Sequence, residues 1–66
     1  MDITLNDKRH IIVDGIRISD LFEELNIPHA GTAVAVNGRI IPRDDHGTYI
    51  IVKDDTVDIL RPIGGG

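Results

Sequence analysis

The chain has 66 residues, 41% of them hydrophobic, with Phe22 and Tyr49 its only aromatics and no cysteine. That length supports one domain, and without thiols there is no disulfide, thiolate nucleophile or cysteine-based zinc site, so aliphatic packing must supply the core. A net charge of −4 with seven scattered basic residues excludes a phosphate-tracking basic stripe, and no segment has the length of a signal h-region or a membrane span. The expectation is a soluble cytoplasmic protein with no nucleic-acid and no membrane partner.

"DITLN" (2–6) alternates apolar and polar residues and predicts a half-buried strand, with a turn at Asn6 and Asp7. "RHIIVDG" (9–15) predicts a second strand that folds back as a hairpin and stops at Asp14 and Gly15. In "ISDLFEELNIP" (18–28) the period changes: Ile18, Leu21, Phe22 and Leu25 form one helical stripe, Ser19 is the expected N-cap, and Pro28 ends the helix near Leu25 or Asn26. "TAVAVNGRII" (32–41) predicts two short strands about a type I′ turn at Asn37 and Gly38, halted by Pro42. "YIIVKDDTVDIL" (49–60) predicts a strand, a polar turn at 53–56, and a last strand with Val57 and Ile59 on one face. One sheet covered on one face by one helix is the economical two-layer arrangement.

No constellation in this body asks for catalysis. His10, His29 and His46 have no metal-ligand spacing and read as surface or turn residues, so no metal is expected. Asp44-Asp45 and Asp54-Asp55 are neighbours whose side chains point apart, and turn chemistry accounts for them. Ser19 lacks triad partners, there is no glycine-rich phosphate loop, and a domain this small leaves little room for a ligand pocket. No catalytic residue is assigned.

The sequence ends in "PIGGG" (62–66). Glycine loses the most backbone entropy on ordering, so residues 1–63 are read as the domain and 64–66 as a flexible tail. A side-chain-free tail ending in a carboxylate reaches roughly 10 Å and can enter a narrow channel in another protein. The unhindered Gly66 carbonyl is suited to activation as an acyl-adenylate and to displacement by a sulfur or nitrogen nucleophile. Ile50, Ile51 and Val52 are apolar at consecutive positions, so at least one must face away from a single core. They join Arg61 and Ile63 as candidates for a partner interface, with Arg61 placed to steer an acidic patch.

The length, "AVAVNGRIIPR" (33–43), "VKDDTVDIL" (52–60) and the closing "PIGGG" together resemble the thiamine-biosynthesis sulfur carriers of the ThiS family. The resemblance spans essentially the whole chain. It implies an α+β fold, the ubiquitin-like β-grasp, with a mixed sheet of four to five strands, one helix packed on one face and a free glycine tail. It implies a carrier that is a protein cosubstrate and not an enzyme. By that resemblance Gly66 would be adenylated by an E1-like, ThiF-type adenylyltransferase using ATP, and converted to a thiocarboxylate with sulfur from a cysteine desulfurase. The sulfur would then be donated to a ThiG-type thiazole synthase. Gly64, Gly65 and Gly66 would occupy the partner's channel, and no cofactor is bound by the carrier itself. Carriers for molybdopterin, cysteine or another sulfur-containing product, and ubiquitin-like covalent modifiers, share the glycine end and stay open as alternatives. Two features depart from the family pattern: His46 stands where an aromatic is usual, and Asp54-Asp55-Thr56 replaces an Asp-Gly-Asp turn.

Overall fold

A computed structural model describes residues 1–60. The domain boundary expected at residue 63 and the tail therefore lie outside the described residues. In chain order the elements are β1 (Asp2–Leu5), β2 (Lys8–Ile11), α1 (Ile18–Glu24), β3 (Ala33–Val36), β4 (Arg39–Ile40), a 3-10 turn (Arg43–Asp45) and β5 (Thr56–Leu60). They form a five-stranded sheet ordered β2-β1-β5-β3-β4, in which β5 runs parallel to β1 and every other pair is antiparallel. This is the β-grasp: the last strand inserts between two hairpins, and the single helix lies across one face.

Local chemistry explains both hairpins. Asn6 and Asp7 have φ 47° and 68°, and Asn37 and Gly38 have φ 52° and 82°, the paired positive values that a two-residue I′ turn requires. Each turn also grips the central strand. The Asn6 amide donates to Val57 O at 2.9 Å and its Oδ1 accepts from the Ile59 amide at 2.8 Å. Asn37 donates from its backbone to Thr56 O at 2.7 Å and accepts the Thr56 amide on Oδ1 at 2.9 Å. Two asparagines that the sequence assigns to turns thus also fix where β5 sits.

Helix α1 is only seven residues long, too short to persist without tertiary packing. Its buried Ile18, Leu21 and Phe22 join Ile3, Val34, Val36, Ile51, Val57 and Ile59 in one core. It closes with a Schellman arrangement: the Ile27 amide donates to Phe22 O at 2.8 Å, the Asn26 amide to Glu23 O at 3.1 Å, and Asn26 takes the left-handed φ of 56°.

Three expectations are corrected. The N-cap is Arg17, not Ser19, because distant carbonyls already satisfy the first helical amides: Ile18 donates to Tyr49 O at 3.1 Å and Ser19 to His46 O at 2.9 Å. Asp20 Oδ2 completes the cap by accepting the Arg17 amide at 3.1 Å. Residues 49–52 form no strand; Ile50 makes one isolated bridge with Arg17. Their backbone groups are spent elsewhere, the Ile51 amide on Ile16 O at 2.9 Å and the Val52 amide on Asp55 Oδ2 at 2.9 Å. His46 does lie in the turn after the 3-10 segment, but it is buried and not on the surface, its ring edge-on to Phe22 with centroids 5.4 Å apart. It fills the aromatic position with an imidazole whose Nε2 donates to Ile41 O at 3.0 Å, leaving Nδ1 without a partner among the described residues.

The altered Asp54-Asp55-Thr56 turn divides its two tasks. Asp54 adopts the left-handed φ of 66°, which aspartate tolerates better than most residues. Asp55 is turned inward, where its carboxylate accepts the Asn37 Nδ2 at 2.9 Å and the Val52 amide at 2.9 Å.

Candidate functional site

Alternation along β5 puts Val57 and Ile59 under the helix and Thr56, Asp58 and Leu60 on the uncovered face of the sheet. Strand register extends that face. Ala33 lies opposite Leu60, Ala35 opposite Asp58, and Ile40 opposite Ala35. On the other side Thr4 lies opposite both Thr56 and Arg9, and Asp2 opposite Ile11.

The face has two different halves. At the entry end of β5, Arg9 donates to Thr4 Oγ1 at 3.2 Å and Asp54 Oδ1 at 3.3 Å, and lies 3.6 Å from Asp2 Oδ2. At the exit end the side chains are Ala33, Ala35, Ile40 and Leu60, grouped about Asp58. Ile40 is 60% and Leu60 59% exposed, and among the described residues no hydrogen bond or ion pair reaches the Asp58 carboxylate. Leu60 is the last described residue, so this apolar half leads directly into the glycine-ended segment.

The interface residues expected from sequence are dispersed. Ile50 and Val52 are exposed at 52% and 55%, whereas Ile51 is 1% exposed; packed in the core, Ile51 is removed from the candidates. Ile50 lies by the helix start, bridged to Arg17, and Val52 lies beside Asp55 in the turn that precedes β5. Arg61, Ile63, Gly64, Gly65 and Gly66 lie outside the described residues. Sequence reasoning missed Ala33, Ala35, Ile40, Asp58 and Leu60; the signal was the period-2 alternation in 32–41 and 56–60, which needed the register to become a surface.

Among the described residues no group of His, Asp and Glu is arranged to hold a metal, and no helix is long and apolar enough to cross a membrane. A groove of about 560 Å³ does open between the helix end and the sheet, lined by Leu5, Asn6, Lys8, Leu25, Ile27 and Ile59. That volume falls within the range of small-molecule pockets, more than the chain length suggested. Its polar side chains are Asn6, already bonded to β5, and Lys8, so no acid and base converge there.

A β-grasp whose exposed apolar face runs into a glycine-rich end, with no converging catalytic set in its described body, has the form of a ubiquitin-like carrier or modifier. The sequence model of the ThiS family matches residues 2–66, and the chain belongs to that family. It is 32% identical to the sulfur carrier protein ThiS of Escherichia coli K12 over 66 residues, covering 100% of both chains. It is similar in fold to the crystal structure of a thiamine biosynthesis protein, ThiS, from Geobacter metallireducens, with a TM-score of 0.85, 25% identity and 100% of both chains covered. An NMR solution structure of a thiamine biosynthesis protein from the same organism gives a TM-score of 0.83 at 25% identity, covering 100% of this chain and 88% of that one.

Proposed function

We propose that this chain is a cytoplasmic sulfur carrier of thiamine biosynthesis, working as a protein cosubstrate through its Gly66 carboxyl group. The observation that carries the reading is the family match, which runs through the C-terminal glycines to residue 66.

The chemistry follows from the unreactivity of a carboxylate. An oxygen of the Gly66 carboxylate attacks the α-phosphorus of ATP on an E1-like adenylyltransferase, pyrophosphate leaves, and the carbonyl carbon becomes an electrophile. The terminal sulfur of a persulfide charged by a cysteine desulfurase then displaces AMP. A thiol cleaves the remaining S–S bond, leaving the thiocarboxylate and a disulfide. Thiazole synthase accepts the sulfur, and hydrolysis of the carrier's acyl group restores the carboxylate. ATP belongs to the activating partner and no cofactor to the carrier. Glycine at 64, 65 and 66 lets the segment pass through a channel that any Cβ would obstruct.

Intact mass spectrometry of the chain after incubation with ATP, the adenylyltransferase, the desulfurase and cysteine tests this reading. The expected product gains the mass of one oxygen exchanged for sulfur, located in the C-terminal peptide. An unchanged mass with enzymes active on another carrier contradicts it. Lysine-linked adducts of the chain in lysate would instead identify a covalent modifier.

A further inference from the structure

The two charge systems on the open face differ in a way that points to a partner. Arg9 is surrounded by Thr4, Asp2 and Asp54, so its charge is satisfied within the chain. Asp58 is half-buried, sits across from Ala35 with Ile40 one strand further on, and has no counter-ion among the described residues. Covering the apolar group with another protein would strip water from this carboxylate, and an unpaired carboxylate opposes such burial. The partner must therefore bring a cation to that spot.

We infer that Asp58 is a specificity-determining charge: the face formed by the exposed Ala33, Ile40 and Leu60 around the buried Ala35 docks on an apolar surface that presents one Arg or Lys to Asp58, and that surface belongs to the adenylating enzyme. The choice of partner rests on the function proposed above and on charge. An enzyme that holds the phosphates of ATP concentrates positive potential around its site, and a chain of net charge −4 is drawn toward it. Six residues follow Leu60 and span at most about 20 Å when extended, so the docked face must lie close to the nucleotide for Gly66 to reach it.

The test is the carrier-concentration dependence of ATP-dependent pyrophosphate release by the adenylyltransferase, with wild-type chain, Asp58→Asn, Asp58→Lys and the same-face control Thr56→Lys. Chemical denaturation of each variant verifies that it folds. Docking through Asp58 predicts a KM raised about tenfold by Asp58→Asn and about a hundredfold by Asp58→Lys, with kcat within about twofold and little change for Thr56→Lys. It also predicts that wild-type KM rises with salt more steeply than that of Asp58→Asn. Unchanged KM for both Asp58 variants, while wild-type chain is still thiocarboxylated, overturns the inference and leaves the proposed function standing. A fall in kcat alone also overturns it. Failure of the wild-type chain to be activated overturns both.

Discussion

At the entry end of β5 the polar groups satisfy one another: Asn37 bonds Asp55 and Thr56, Asp55 holds the Val52 amide, and Arg9 bonds Thr4 and Asp54. At the exit end, four residues on from Thr56, the backbone is equally well held through Asn6, but on the open face Ala33, Ile40 and Leu60 are exposed and the half-buried Asp58 has no partner among the described residues. One strand thus has an end that specifies the fold and an end that offers a surface. The difference teaches where mutations should separate stability from activity.

The sharpest separation is expected beyond the exit end. Gly65→Val should leave the urea midpoint unchanged, yet lower thiocarboxylate formation more than about a hundredfold, because a β-branched side chain obstructs a channel shaped for glycine. At the entry end the reverse is expected. Asp55→Ala removes the acceptor for Asn37 Nδ2 and the Val52 amide, and chemical denaturation should show a loss of about 3 kcal/mol, as expected for charge-assisted bonds broken at a buried site. Gly38→Ala has open space around its new Cβ but must hold φ +82°, so it should cost about 1 kcal/mol through backbone strain alone.

The mildest case divides backbone from charge at a single position. Asp54→Ala should cost about 1 kcal/mol, and Asp54→Gly less than about 0.5 kcal/mol, because glycine accepts the left-handed backbone while the exposed Arg9 pair contributes little. Equal losses for the two variants would assign the effect to the ion pair instead. Ile40→Ser and Leu60→Ser should change stability by less than about 0.5 kcal/mol. A loss above 2 kcal/mol in either would make the exit end structural and erase the distinction between the two ends.

Much of the fold was legible because it rests on local rules. Asn37-Gly38 announces its turn through the positive φ it needs, and Ile18, Leu21 and Phe22 announce a helix by their spacing. Residues 49–52 misled because β-branched apolar residues satisfy strand patterning whether or not a ladder partner is present, and of Ile50, Ile51 and Val52 only Ile51 is buried. Only the tertiary bonds to residues 16–18 decide that this stretch serves the helix start and not a ladder. The Ser19 cap failed for the same reason, since carbonyls more than twenty-five residues away took the amides. His46 reads as a turn residue in sequence, and its burial against Phe22 is a consequence of packing that no local pattern carries. The site divides similarly. The terminal glycines are visible as letters, whereas the face that precedes them is assembled from β3, β4 and β5, and only register unites Ala35 with Asp58 and Ile40.

The most direct test of the contrast between the two ends is an amide chemical-shift titration of the isotopically labelled chain with the unlabelled adenylating enzyme. The account predicts that perturbation and broadening concentrate at Ala33, Ala35, Ile40, Asp58 and Leu60, while Arg9, Asn37, Ile50, Val52 and Asp54 stay in place. Perturbation centred on Ile50 and Val52, with the exit-end face unchanged, would contradict it.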